Sequence, residues 1–469
     1  MSAQIEAARQ ALAHLDIDDN PATVRNKSRD FFWYSPVLKA RLDHLTADFV
    51  VTPKSEAEVI EVLKVCHELD VPVTGRGSGT GNYGQAMPLS GGVVLHLKDM
   101  NAIKEIAPGR VVAEAGAIIS DIDKATRAHS GQELRMHPST YHTASIGGFI
   151  AGGSGGVGSV RWSNLSMPGN ILRLRIITME AEPRVIDLTG DDIHKASHAY
   201  GVNGIITEVE MPLTQSFDWI DVIVGFDTFI ETVGFSMDVA DNEGLLVKEL
   251  APIAAPIGQD YFLRHKKLLP DGKHLVVAMV APHALDGFLS LAARASGDIL
   301  FRSDTATEAE MKGLPPAYEL TWNHTTLRAL RVDPTITYLQ VQYGGSDPIK
   351  TVEKIGQMFG DEVPLHLEIT RQGGQTRIGG LPLVRFSTEE RLEEIMDLHE
   401  QNDCWIFNPH RYTLEEGGMK QSDPLQLAFK KENDPKGLLN PGKMIAFEDP
   451  NWDFDKERFY LFPGLTAAE

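Results

Sequence analysis

The sequence predicts an α+β protein of more than one lobe, and three observations carry that expectation. The chain has 469 residues, about three times an ordinary domain length. Up to about residue 215, short strand-like runs between Gly and Pro turns dominate, with few crossover helices. From about 216 the texture changes to longer apolar strands alternating with acidic helical segments, as in a sheet covered by helices.

Residues 1–46 read as an N-terminal helical segment. Ser55-Glu56-Ala57-Glu58 has the form of a capping box, and Val59, Val62, Leu63, Cys66 and Leu69 then recur as one buried helical stripe. Asp70 ends this helix, and residues 71–74 resume as a strand running straight into glycines. Strands are expected at 92–97, 103–106 and 111–114, the last two turned at Pro108-Gly109, followed by a helix over 119–129. A second glycine-dense stretch covers 147–158, and strands are expected at 171–180, 185–188 and 204–209. In the second lobe the spacing predicts strands at 219–226, 274–280 and 336–343 and a helix over 388–401. The tail from Asn408 is loop-rich, and residues 434–443 are dense in turn formers.

Charge narrows the class. Lys+Arg 44 against Asp+Glu 65 gives a formal charge of −21, and so acidic a surface repels phosphate backbones, so no nucleic-acid partner is expected. No basic start with an apolar core precedes the fold, and no run of about 18 apolar residues occurs, so a cytoplasmic protein without an integral membrane segment is expected. The two cysteines, Cys66 and Cys404, lie far apart and suit a reducing compartment.

The first glycine loop is Gly75-Arg76-Gly77-Ser78-Gly79-Thr80-Gly81-Asn82. Side-chain-poor backbone lets successive amides converge on one point, which suits a pyrophosphate, and Arg76, Ser78 and Thr80 add charge and donors. A plain turn would not need four alternating glycines after a strand. The second stretch, Gly152-Gly153-Ser154-Gly155-Gly156-Val157-Gly158, contains a formal G-x-G-x-x-G. A dinucleotide fingerprint requires a strand before the glycines and a long helix after them, and residues 159–170 are poor helix material, so that match is read as coincidental. Phosphate-loop, H-E-x-x-H, Cys-x-x-Cys and G-x-S-x-G patterns are absent, and no metal site is expected.

Two polar, aromatic-rich stretches in the second half carry candidate chemistry: Trp322-Asn323-His324 and Asn408-Pro409-His410-Arg411-Tyr412. An arginine clamps a carboxylate, while a nearby His or Tyr can take a hydroxyl proton. His410, Arg411, Tyr412 and His324 are therefore the candidate catalytic residues, although a lone His is more often structural.

The order and wording of these motifs resemble the FAD-linked oxidases of the vanillyl-alcohol oxidase and p-cresol methylhydroxylase type. The carriers are Val51-Thr52-Pro53-Lys54-Ser55-Glu56, Pro72-Val73-Thr74-Gly75-Arg76-Gly77-Ser78-Gly79-Thr80, Gly91-Gly92-Val93-Val94-Leu95, Ala144-Ser145-Ile146-Gly147-Gly148, Gly204-Ile205-Ile206-Thr207-Glu208 and the tail 434–443. The resemblance implies a bipartite FAD-binding domain of the p-cresol methylhydroxylase type (47–215 and 401–469) interrupted by an α/β substrate or cap domain (216–400). It implies a pyrophosphate loop at Arg76, Gly77, Ser78, Gly79, Thr80, Gly81 and Asn82. Flavin-lining positions would be Pro138, Ser139, Thr140, Thr143, Ser145, Gly147, Gly148, Gly152, Ser154 and Gly155, with Ile206 and Asn440 close to the ring.

The implied activity is oxidation of a CH–OH group of a small substrate, in the first instance a 2-hydroxy acid, by hydride transfer to FAD. The electron acceptor is left open among oxygen, a quinone, a cytochrome and an electron-transfer protein, as is a homo-oligomeric state. An oxygen-using oxidase of a sugar, alditol or aromatic alcohol and a flavin-binding module without turnover are the alternatives. Two departures matter. The first loop lacks the His that tethers flavin in covalent members, so noncovalent FAD is expected. The glycolate and D-lactate branch carries Glu-His-Gly near the tail, whereas Glu415-Glu416-Gly417-Gly418 stands here.

Overall fold

The computed structural model describes residues 3–153, 155–417 and 424–452. Two sheets build the first lobe. In one, Ile17–Asp18, Phe49–Val51, Val93–His96 and Val73–Arg76 lie side by side in that order, the last three parallel. The helix Glu56–Glu68 makes the crossover between Phe49–Val51 and Val73–Arg76 and buries Val59, Val62, Leu63 and Cys66 against them. Its start is half a capping box. Ser55 Oγ accepts from the Glu58 amide at 3.3 Å, but Glu58 Oε2 accepts from Lys54 N at 2.8 Å rather than from Ser55.

The other sheet is antiparallel, ordered Ile103–Ala107, Arg110–Glu114, Ile205–Gln215, Arg173–Ile177, Val185–Thr189, with Gln132–Leu134 pairing the far end of Ile205–Gln215. Its inner face carries Val111, Ala113, Leu174, Ile176 and Val209 into the same core as the crossover helix. The outer face carries a ladder of opposite charges across strands, including Lys104–Glu208 at 2.8 Å and Arg173–Asp187 at 2.7 Å.

Two antiparallel four-stranded sheets form the second lobe. One is ordered Val247–Ile253, His274–Val280, Ile220–Phe226, Asp298–Arg302, and the other Leu367–Gln372, Gln375–Gly380, Val341–Tyr343, Cys404–Ile406. A single bridge at Ile253 and His366 and the 2.9 Å bond from Ala254 N to Leu365 O splice them edge to edge. The helices Phe229–Asp241, Leu285–Arg294 and Pro348–Phe359 share one apolar core with these sheets, where Phe235 meets Phe288 at 5.4 Å. The run expected as one strand over 336–343 is two: Ile336–Tyr338 pairs Leu383–Arg385, and Val341–Tyr343 enters the cap sheet.

The tail returns to the first lobe. Leu439 bridges Val73 in parallel, with Val73 N on Leu438 O and Asn440 N on Val73 O, both at 2.8 Å. The tail's own turn is organised by Asp434, which accepts from the amides of Leu438 and Leu439 at 2.9 and 2.8 Å. This extends the edge of the parallel sheet beside the strand that feeds the first glycine loop. Among the described residues, no helix is long and apolar enough to cross a membrane.

Candidate active site

The strand Val73–Arg76 delivers the glycine loop at its C-terminal end, and the helix Ile146–Gly152 meets it from the other side. Gly147 and Gly148 sit inside this helix, although glycine disfavours helices. Tertiary packing overrides that preference here: a Cβ on Gly147 would stand 2.5 Å from Ala115 Cβ, and one on Gly77 would stand 2.0 Å from Ser145 Oγ. The loop thus meets the helix at Gly77 and Ser145, and the helix meets the end of the strand Arg110–Glu114 at Gly147. Gly158 is followed by only one helical turn, Ser159–Trp162, and Gly152 ends a helix rather than a strand. The G-x-G-x-x-G there therefore lacks the context a dinucleotide fingerprint needs.

Both ribbons line one cavity of about 350 Å³, an ordinary size for a small-molecule site. Residues 76–82, Pro138, Ser139, Thr140, Ser145, Gly147, Gly148, Gly152, Gly155 and Ile206 all stand in its wall. Ser154 lies outside the described residues. Thr143 is exposed and outside the wall, its hydroxyl bonded to Thr140 O at 3.2 Å. Asn440 is buried behind the wall, its Nδ2 donating to Gln85 O at 2.8 Å and Tyr200 O at 2.7 Å, so it joins two turns of the scaffold instead of facing the cavity.

The loop is braced from behind. Arg76 donates from Nη1 to Arg29 O at 2.5 Å and from Nη2 to Ser78 O at 3.3 Å, while its buried Nε has no partner. Its guanidinium lies where a Cβ on Gly79 would fall, and Gly79 itself has φ +68°. Asp30, from the N-terminal segment, accepts from Phe32 N at 2.9 Å and Ala86 N at 3.3 Å. It faces the fully buried Lys443 of the tail, whose ammonium donates to Gly84 O at 2.6 Å. Burial lifts the Asp30 carboxyl above its usual range and lowers the Lys443 ammonium to about 7, each partly countered by the other.

The cap supplies the opposite wall with Trp322, Asn323, His324, Gln340, Gln342, Glu368, Thr370 and Arg371. Trp322 has φ 51° and donates its backbone N–H to Glu368 Oε1 at 2.6 Å and its indole N–H to Glu249 Oε2 at 3.1 Å. His366 Nε2 stands 2.7 Å from Glu368 Oε1. Burial pushes the Glu368 carboxyl up to about 8 and Glu249 well above the carboxylate range, the latter also because Glu368 sits beside it. Burial holds His366 and His324 down at about 4, His324 also because of Arg328 and Arg331, so both rings are neutral near pH 7.

Three of the four candidate catalytic residues stand elsewhere. His410 is buried outside the cavity wall, its Nδ1 2.7 Å from Ser35 Oγ and its Nε2 2.9 Å from Tyr338 O, so both ring nitrogens are committed to the scaffold. Arg411 pairs with Glu389 at 3.2 Å and Glu393 at 2.7 Å on the helix Glu389–Glu400, and Tyr412 carries the Lys443 ammonium over its ring at 5.0 Å. His324 alone stands in the wall, with Nδ1 unbonded and 3.6 Å from Glu319 Oε2. The sequence reading missed Glu368, Glu249 and His366. Their signal was charge inside otherwise apolar strands, Lys248-Glu249-Leu250 and His366-Leu367-Glu368-Ile369.

The family model of an FAD binding domain matches residues 47–187. Glycolate oxidase subunit GlcD of Bacillus subtilis is 35% identical over 446 residues, covering 85% of this chain and 89% of that one. D-lactate dehydrogenase of Archaeoglobus fulgidus is 30% identical over 202 residues, a match to 41% of this chain and 44% of the relative. The match to GlcD of Escherichia coli, 31% identical, covers 41% of this chain and likewise spans only 40% of that protein. Among solved structures, 4-ethylphenol oxidase from Gulosibacter chungangensis superposes with a TM-score of 0.66 at 16% identity, covering 94% of this chain and 97% of that one. Paired glycine ribbons facing a polar cap thus define an FAD-linked oxidoreductase. The chain belongs to the FAD-linked oxidase family of the vanillyl-alcohol oxidase and p-cresol methylhydroxylase type, in the subgroup of glycolate oxidase and D-lactate dehydrogenase.

The residues present fit FAD on two counts. The contact between Gly77 and Ser145 leaves backbone where a diphosphate needs close approach, and the unpartnered Arg76 Nε and His324 Nδ1 stand in the same wall.

Proposed function

We propose that this protein oxidises a CH–OH group of a small substrate, in the first instance a 2-hydroxy acid. The observation that carries the reading is the single cavity with glycine ribbons on one side and polar cap side chains on the other. Residues 76–82 would hold the diphosphate, and Pro138 to Thr140, Ser145, Gly147, Gly148, Gly152, Gly155 and Ile206 would line the ring, without a covalent tether. Bound FAD supplies a hydride acceptor. The chain's own part is to seat the carbon beside it, exclude water and take the hydroxyl proton. Gln340, Gln342 and Asn323 offer amide groups to orient the substrate, and His324 is neutral and open at Nδ1. The names of the relatives support the 2-hydroxy acid.

A neutral alcohol is the second reading, and the cap arginine favours it. Arg371 spends its guanidinium on Ala240 O at 2.7 Å, Gly374 O at 3.2 Å and Val160 O at 3.4 Å instead of holding it out for a carboxylate. Anaerobic mixing with hydroxy acids and with neutral alditols and aromatic alcohols separates the two. Bleaching of the flavin by glycolate or D-lactate is expected under the first reading. Bleaching by neutral alcohols alone overturns it in favour of the second. Reoxidation of the bleached protein by air then decides whether oxygen is the acceptor.

A further inference from the structure

We propose that Glu368 is the catalytic base of this cavity, with Glu249 and His366 as its positioning residues, an inference that rests on the function proposed above. The cluster is built from three separate parts of the cap. Glu249 comes from the strand Val247–Ile253, His366 and Glu368 from the start of Leu367–Gln372, and Trp322 from the turn that enters the helix Asn323–Val332. All three titratable side chains are buried, and Glu368 alone of them stands in the cavity wall.

Burying two carboxyl groups together is costly unless something requires them. Trp322 and His366 bond to them, and Glu368 Oε2 is left buried with no partner. Trp322 holds one carboxyl with its backbone N–H and the other with its indole, and it pays for this with a left-handed backbone at φ 51°, strain that persists only where its surroundings impose it. His366 Nε2 lies 2.7 Å from Glu368 Oε1, and the Thr325 hydroxyl lies 3.3 Å from the same nitrogen. The ring is neutral, so this is a hydrogen bond that fixes the carboxyl and not an ion pair. The titratable groups acting on Glu368 are therefore Glu249 from the neighbouring strand and His366 from its own. Two adjacent carboxyls do not ionise together, so the one that faces the cavity, Glu368, becomes the acceptor as it ionises above neutral pH while Glu249 keeps its proton.

The step balances simply. The substrate O–H bond breaks, its proton goes to Glu368, and its electron pair becomes the second C–O bond. The hydrogen on the same carbon leaves with its electron pair to the oxidant, the FAD that the family carries. Glu249 keeps its own proton and donates it as a hydrogen bond to Glu368.

The test uses the FAD-loaded protein and any substrate that bleaches it. The wild-type rate of anaerobic bleaching should rise with pH through an apparent pKa near 8, where Glu368 ionises. Glu368→Gln should lower that rate by about 10²–10⁴-fold and abolish the rise. Glu249→Gln replaces a carboxyl O–H donor by a weaker amide donor, so the rise should move to higher pH. His324→Gln should leave the position of the rise unmoved, whatever its height. A second readout needs no substrate: Trp322 touches both carboxyls, so tryptophan emission should titrate over the same window and stop doing so in Glu368→Gln and in Trp322→Phe. Glu368→Gln protein with normal FAD content, an unmoved rise and a rate within about threefold of wild type would overturn this assignment alone. Wild type that holds FAD but is bleached by no hydroxy acid or alcohol at any pH would overturn the proposed function with it.

Discussion

His410 shows how a single side chain can look catalytic and be structural. Its ring closes a hydrogen-bonded gap between Ser35 of the N-terminal segment and the Tyr338 carbonyl of the cap. His410→Ala leaves the Tyr338 carbonyl buried and unpaired, while Ser35 Oγ keeps only the Leu38 amide at 3.1 Å, so a loss of about 1–3 kcal/mol in stability is expected by denaturant unfolding. Substrate-driven bleaching should stay within about threefold of wild type, because the ring stands outside the cavity wall. Gly77→Ala is the opposite kind of change. Its Cβ would fall 2.0 Å from Ser145 Oγ and 3.2 Å from Ser145 Cβ, so the hydroxyl must turn away from the Ser78 amide it accepts from, and the purified protein should hold FAD more weakly while still folding. A Gly77→Ala protein as yellow as wild type would count against the proposed cradle.

At the scale of elements, the cap is tied to the first lobe by a buried ion pair. Lys248, on the strand Val247–Ile253, donates to Glu133 Oε1 at 2.8 Å, and the indole of Trp219 donates to the same oxygen at 2.8 Å. Arg127 holds the other Glu133 oxygen. Glu133→Gln leaves the buried ammonium with only the neighbouring Asp123 carboxyl as counter-charge, and a loss of about 3 kcal/mol is expected. Replacing both partners with Glu133→Leu and Lys248→Met should recover a good part of it, measured by urea unfolding. The elements also mark what a sequence discloses. The helix Glu56–Glu68 and the hairpin Ile103–Glu114 were legible because cap, stripe and turn residues are all local. The helix Ile146–Gly152 was not, since Gly147 packs on Ala115, just past the strand Arg110–Glu114, and Gly148 packs near Gly77 of the first loop, contacts that are remote in sequence. Glycine ribbons announce themselves because amide convergence needs contiguous backbone. Glu249 and Glu368 do not, because they meet only when two cap sheets join at Ile253 and His366.

Across the whole molecule, burial sets the response to pH. His96, His137, His265, His324, His366 and His410 all have folded values pushed down, chiefly by burial, to between about 3 and about 4. The unfolded chain therefore binds protons between about 6.5 and 4 that the folded chain refuses, so stability falls as pH drops through that window. Burial lifts the Asp30, Asp123, Asp221, Glu249 and Glu368 carboxyls in the opposite sense and offsets part of this, so a Tm that declines only gradually below about pH 6.5 is expected in thermal scans. Glu368 acts in the other direction. Its folded value of about 8 lies above the unfolded one, so it removes stability as pH rises from about 4.5 to 8, and Glu368→Gln should flatten that alkaline slope.

All of this chemistry depends on the two ribbons holding FAD without a covalent bond. The direct measurement is the FAD content of purified, FAD-reconstituted protein, read before and after acid precipitation. Equimolar flavin on the native chain, released entirely into the supernatant, is the expected result. A folded chain that takes up no FAD would contradict the account, and flavin that stays with the precipitate would contradict the noncovalent site.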